Sequence, residues 1–152
     1  MVSGDFSLPA MSVASRLTLV TVQLGLPYGV ANVAGRPGEA EAFAILDRAL
    51  GGGIGALETA RAYGASEEVI GRWRRQRAAP LQIITKLAPL TAVDGRMKRD
   101  AAERSLRASL DALAAPIDLV LAHRETDLLS PAVRDTLDEP FATLSTSQLR
   151  GS

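Results

Sequence analysis

Four short apolar runs, each with a polar residue at or beside its end and parted from the next by a helix-length stretch, constrain this chain more than any other feature. They are Leu17 to Leu24, Ile54 to Thr59, Leu81 to Lys86 and Ile117 to Ala122. Strand ends at Gln23, Glu58, Lys86 and His123 recur at intervals of 35, 28 and 37 residues, a spacing that suits consecutive right-handed strand–helix–strand units and predicts a parallel sheet. The near-continuous apolar character of the runs agrees, because parallel strands are covered on both faces.

Helical periods fill the gaps. Glu39 to Leu50 sets Ala42, Phe43, Leu46, Ala49 and Leu50 on one face, and Gly51-Gly52-Gly53 ends it. Ser66 is expected as an N-cap, with Glu67 and Glu68 in the first turn ahead of Val69, Ile70 and Trp73. Leu106, Leu110 and Leu113 carry the third helix until Pro116 stops it. Beyond His123, Ser130-Pro131 is expected to start a short helix through Leu137, and the last dozen residues, polar and without period, are expected to be mobile. The chain thus divides into an N-terminal segment over 1–16, a domain over 17–125, and a short helix and tail over 126–152.

Composition narrows the function classes. An apolar fraction of 47% and a charged fraction of 22% describe a globular chain with a core to bury. Seventeen basic and seventeen acidic side chains cancel, so no global field draws the chain to nucleic acid or anionic lipid. With no cysteine there is no disulfide or thiolate chemistry, and no metal site is expected. No stretch approaches the ~20 apolar residues of a membrane span, and the expectation is a cytoplasmic protein.

Two tempting motifs read as structure. The glycines Gly51 to Gly53 with Gly55 precede a strand, whereas a phosphate-cradling loop follows a strand and opens a helix. The basic groups Arg72, Arg74, Arg75 and Arg77 around Trp73, and Lys98, Arg99, Arg104 and Arg107, fall on amphipathic helices with neighbouring carboxylates and read as solvated faces.

The chemistry lies at the strand ends. Glu58 and Tyr63 stand five residues apart where the second strand gives way to a loop; Lys86 ends the third strand and His123 the fourth. All four would gather at one end of a parallel sheet. A carboxylate, a phenol, an ammonium and an imidazole suit the transfer of a proton to a carbonyl oxygen while a hydride arrives from elsewhere. On residue types alone, Tyr63 reads equally as a loop aromatic, Glu58 with Lys86 as an ordinary ion pair, and His123 as a hydrogen-bonded strand-end residue.

At these residues the chain resembles a known family. The run Thr21 to Asn32, the stretch Leu57-Glu58-Thr59-Ala60-Arg61-Ala62-Tyr63-Gly64-Ala65-Ser66-Glu67 with Glu68-Val69-Ile70-Gly71, then Ile84-Thr85-Lys86 and Leu121-Ala122-His123-Arg124 look like the successive strand-end motifs of the aldo-keto reductases, in order. The resemblance covers roughly residues 16 to 125. One position departs from it, since the family's usual aspartate at the second strand end is Glu58 here. The resemblance implies a partial TIM (β/α)8 barrel of about four βα units. A full barrel needs about 200 to 250 residues and this chain has 152.

The resemblance also implies roles. Tyr63 would be the general acid, Lys86 the ammonium that stabilises its anion, Glu58 the carboxylate that holds Lys86, and His123 the donor that orients the carbonyl. The implied activity is NADPH-dependent reduction of an aldehyde or ketone, with the cofactor gripped mainly by later strands. Such a half would self-associate or pair with a second half-barrel over its open inner face. Two other readings stay open: a catalytically silent half-barrel (a pseudoenzyme, an assembly partner or an interrupted reading frame), and a Schiff-base lyase using Lys86, which gives Tyr63 and Glu58 no role.

Overall fold

A computed structural model of the chain describes residues 16–77, 80–90, 95–129 and 131. Its elements are β1 (Thr18–Val20), the short helix α1 (Val22–Gly25), α2 (Glu39–Gly51), β2 (Ala56–Glu58), α3 (Ser66–Arg75), β3 (Gln82–Lys86), α4 (Gly95–Leu113), β4 (Leu119–Leu121) and a 3-10 turn over Glu125–Leu129. The four strands form one parallel sheet in the order β1-β2-β3-β4. This is an α/β fold, four βα units of a TIM barrel. The expected helix through Leu137 and the mobile tail lie outside the described residues.

Alternation along the strands separates two faces. Leu57 and Ile83 pair in register and turn toward the helices, where Trp73, Leu46, Ile70 and Leu113 bury them. A smaller cluster of Leu87, Leu90, Leu106 and Val120 packs beneath α4. The opposite face carries the row Val20, Glu58, Ile84 and Leu119, with Lys86 and Leu121 forming the next row toward the strand ends. No described helix covers that face, and Val20 and Leu119 are exposed.

The first apolar run does not form the strand expected over Leu17 to Leu24. Its strand ends at Val20, and Gln23, expected at a strand end, lies inside α1. The cause is long-range: the Thr21 N–H and Oγ1 both donate to the Glu58 carbonyl at 2.9 Å, which fixes Thr21 and turns the chain behind it. The third run runs truer, with β3 beginning one residue late.

Helices α2 and α3 are clamped by charge as well as by packing. Arg72 pairs with Glu39 at 2.6 Å, and Asp47 accepts from Trp73 Nε1 at 2.8 Å and from Arg77 at 2.7 Å. Two members of the first basic cluster are therefore partners of α2 carboxylates. Gly71 sets the α3–α4 distance, since a Cβ there would stand 1.9 Å from the Ala112 carbonyl oxygen.

Candidate active site

Glu58 closes β2, Lys86 closes β3, and Tyr63 sits on the loop between β2 and α3. Glu58 is level with Ile84, so Lys86 lies two residues beyond it on the neighbouring strand, a diagonal of roughly 7–8 Å between backbones that long side chains can bridge. They bridge it: Lys86 Nζ donates to Glu58 Oε1 at 2.6 Å and to Tyr63 OH at 2.9 Å. The Tyr63 hydroxyl in turn donates to the same Glu58 Oε1 at 3.1 Å. The three groups form a closed triangle at the open end of the sheet, with Lys86 and Glu58 each about one-fifth exposed.

Burial pulls the Lys86 pKa down, but the hydrogen bonds to Glu58 and Tyr63 and the charges on both outweigh it, and the net direction is upward. Lys86 therefore stands as an ammonium against the phenol oxygen. An ammonium so placed favours the phenolate that remains after a proton is given away.

His123 is not in the triangle. It lies two residues past β4, is half-buried, and its Nδ1 is enclosed without a hydrogen-bond partner. Among the described residues no hydrogen bond joins it to the other three.

Three further features hold the Tyr63 loop. The Thr59 N–H donates to Ile84 and that of Arg61 to Lys86, at 2.8 and 3.2 Å, so ladder bonding continues past β2. Thr59, Ser66 and Thr21 form a buried hydroxyl chain ending on the Glu58 carbonyl. Gly25 abuts the loop so closely that a Cβ would stand 1.7 Å from the Tyr63 carbonyl oxygen. Ser66 is thus not the expected N-cap: its hydroxyl is spent inside this chain, and Ala65 occupies the cap position without a side-chain bond.

Sequence reasoning missed Arg61 and Glu67. Glu67 lies in the first turn of α3 as expected, but it is also fully buried, accepting from Arg61 and Thr85 at 2.6 Å each. Burial pushes its carboxyl above the usual range, against the bonds from Thr85 and Ser109 and the charge of Arg61. Arg61 also pairs with Glu68 and reaches the Ala108 carbonyl on α4 at 3.5 Å. The only signal in the sequence was the Arg61-x5-Glu67-Glu68 spacing across a loop, which points to no particular geometry.

A cleft of about 600 Å³ lies beside β1, bordered by Val20, Gln23, Asn32, Arg36 and Ile45, and shares no residue with the triangle.

The sequence model of the aldo/keto reductase family matches residues 22–151. The chain belongs to the aldo/keto reductase family. Two solved structures from Pseudomonas aeruginosa, each assigned to the aldo-keto reductases, are 30% identical to it. One superposes with a TM-score of 0.68 over 93% of this chain and 56% of its own, the other with 0.64 over 84% and 49%. The chain therefore spans about half the length of these relatives. No match was found among curated proteins.

Proposed function

We propose that this chain carries the proton-donating half of an aldo-keto reductase site, which acts in the NADPH-dependent reduction of an aldehyde or ketone, in the cytoplasm. The contact of Lys86 Nζ with Tyr63 OH at 2.9 Å carries the reading. A phenol, with a pKa near 10, is a weak acid at neutral pH. Held against an ammonium, its conjugate base is stabilised, and Tyr63 can give its proton to a carbonyl oxygen as charge builds there. Glu58 fixes Lys86 and keeps it charged. His123, with a free ring nitrogen past the end of β4, is the donor that orients the carbonyl.

Members of the family generally use NAD(P)H. A dinucleotide's phosphates need a glycine-rich turn opening a helix, or converging cations. Among the described residues, Gly51 to Gly53 close α2 rather than open a helix, and α3 begins with two carboxylates. Arg61, Arg72 and Arg77 are committed to acidic partners. These residues do not form the phosphate seat, and in our reading the 152-residue chain alone is impaired for that reason. Calorimetric titration of the purified chain with NADPH tests this. Dissociation weaker than the low micromolar range is expected, and tighter binding would remove the ground for impairment. The same absence favours the silent half-barrel as the second reading.

A further inference from the structure

We propose that Arg61 is a positioning residue for Tyr63: with the buried Glu67 it closes a ring that holds the Tyr63 hydroxyl on the Lys86 ammonium. The inference rests on the proton-donating reading only for what those two groups do. Tyr63 lies between Arg61 and Glu67 in the chain, and the side chains that bracket it meet, Arg61 Nη1 donating to Glu67 Oε2 at 2.6 Å. The loop is thereby closed on itself at its base. Both ends of it are then tied to β3. The Arg61 N–H donates to the Lys86 carbonyl at 3.2 Å, and Glu67 Oε1 accepts from Thr85 Oγ1 at 2.6 Å, one residue before Lys86. The path from Lys86 through Arg61, Glu67 and Thr85 returns to Lys86, and Tyr63 is carried on it.

An exposed ion pair would hold such a loop weakly, because water competes for both partners. This pair is enclosed. The Glu67 side chain is fully buried and that of Arg61 is one-fifth exposed, and a buried carboxylate that loses its cation is left uncompensated. Arg61 also donates to Glu68 and to the Ala108 carbonyl on α4, the latter at 3.5 Å. Three acceptors in different directions suit a guanidinium, whose donors stand in one rigid plane, and not an ammonium, which offers a single nitrogen. Ser109 on α4 gives Glu67 a further bond, so the base of the loop is fixed from β3, α3 and α4 together.

The triangle depends on that fixing more at Tyr63 than elsewhere. Glu58 and Lys86 stand on neighbouring strands of the sheet, whereas Tyr63 reaches both from a loop, through one hydroxyl at 3.1 and 2.9 Å. Catalytic groups have to be held within about 0.5 Å by the contacts behind them. Gly25 confines the loop from the side of α1, and the ring confines it from the side of α4. Among the described residues no hydrogen bond joins the Arg61 guanidinium to Glu58, to the Tyr63 hydroxyl or to the Lys86 ammonium. Arg61 therefore acts on the site through the loop alone.

The test is the nuclear Overhauser contact between the Tyr63 ring and the Lys86 side-chain methylenes, read in the purified 152-residue chain without any turnover. The chain has two lysines, Lys86 and Lys98, and two tyrosines, Tyr28 and Tyr63, so single substitutions assign every signal. With Lys86 Nζ 5.3 Å from the centre of the Tyr63 ring, a strong contact is expected in the parent. Arg61→Met and Thr85→Val open the ring at different bonds; each should keep the parent circular dichroism spectrum and weaken the contact several-fold. Arg72→Met breaks a pair of the same 2.6 Å length with Glu39, away from the loop, and should leave the contact as in the parent. A parental contact in either ring variant, once folded, would overturn the positioning role, and so would an equal loss in Arg72→Met. A parent that lacks the contact would overturn the proton-donating reading as well, so the two failures are told apart.

Discussion

Adding one methyl group at Gly25 should dislodge the loop that carries Tyr63, although Gly25 is itself no part of the triangle. The Cβ of an alanine there would lie 1.7 Å from the Tyr63 carbonyl oxygen and 2.5 Å from the Ser66 nitrogen. Both obstacles are backbone, and neither can swing aside as a side chain would. The loop must retreat by more than ~1 Å, a displacement that costs about a hundredfold in rate where catalytic geometry is at stake. Overpacking of this kind costs ~1–3 kcal/mol, and the rigid obstacle puts Gly25→Ala at about 3 kcal/mol. At ~2–4 °C per kcal/mol for a chain of this size, Tm should fall by roughly 6–12 °C. The Ser66 N–H donates to the Tyr63 carbonyl at 3.1 Å, the bond into which the methyl intrudes, so its hydrogen-exchange protection should be lost. Gly51→Ala is the control, since no atom lies within 4 Å of its Cβ, and it should leave Tm unchanged or slightly raised. Parental Tm and a protected Ser66 amide in Gly25→Ala would refute the claim that this contact holds the loop.

Three other outcomes follow from the charges. Because the Lys86 pKa is raised in the fold above 10.5, its contribution to stability is fully present below that value and lost as pH rises through the folded value. Alkaline unfolding curves should thus show a decline that Lys86→Met lacks. Glu67 is also raised in the fold, by burial, so its carboxyl favours the fold most below 4.5 and less as pH rises through the folded value. The parent's Tm advantage over Glu67→Gln should accordingly be larger at pH 4 than at pH 7. Glu58→Asp draws the carboxylate back by one methylene; in a barrel completed by a second half it should keep or raise the reduction rate if Glu58 stands in for the family's aspartate, and a collapse in rate with the fold intact would show a site built around glutamate.

The sheet and the meeting of Glu58, Tyr63 and Lys86 could be read from the sequence because their signals are local. An apolar run, a following amphipathic period and a polar strand end need only neighbours in the chain, and they set Glu58, Tyr63 and Lys86 where they meet. What escaped depends on partners far away in sequence. The run Leu17 to Leu24 has the composition of a strand throughout, but Thr21 is captured by the Glu58 carbonyl 37 residues on. Ser66 has the sequence signature of a cap, but Thr21 and Thr59 claim its hydroxyl. Glu67 sits in the first turn its pattern predicts, but its burial depends on Thr85 and Arg61, which donate to it inside. His123 follows β4 by two residues, and among the described residues no hydrogen bond joins it to the other three.

The most direct test of the central claim is the turnover of Tyr63→Phe in a barrel completed by a C-terminal half supplied in trans, measured as NADPH-dependent reduction of an aromatic aldehyde. Removing the hydroxyl deletes the group that Lys86 holds at 2.9 Å and leaves the fold's apolar contacts in place. The account requires kcat to fall by ~10²–10⁴, the share usual for general acid catalysis, with cofactor affinity little changed. A Tyr63→Phe enzyme that reduces the aldehyde at the parental rate would contradict it.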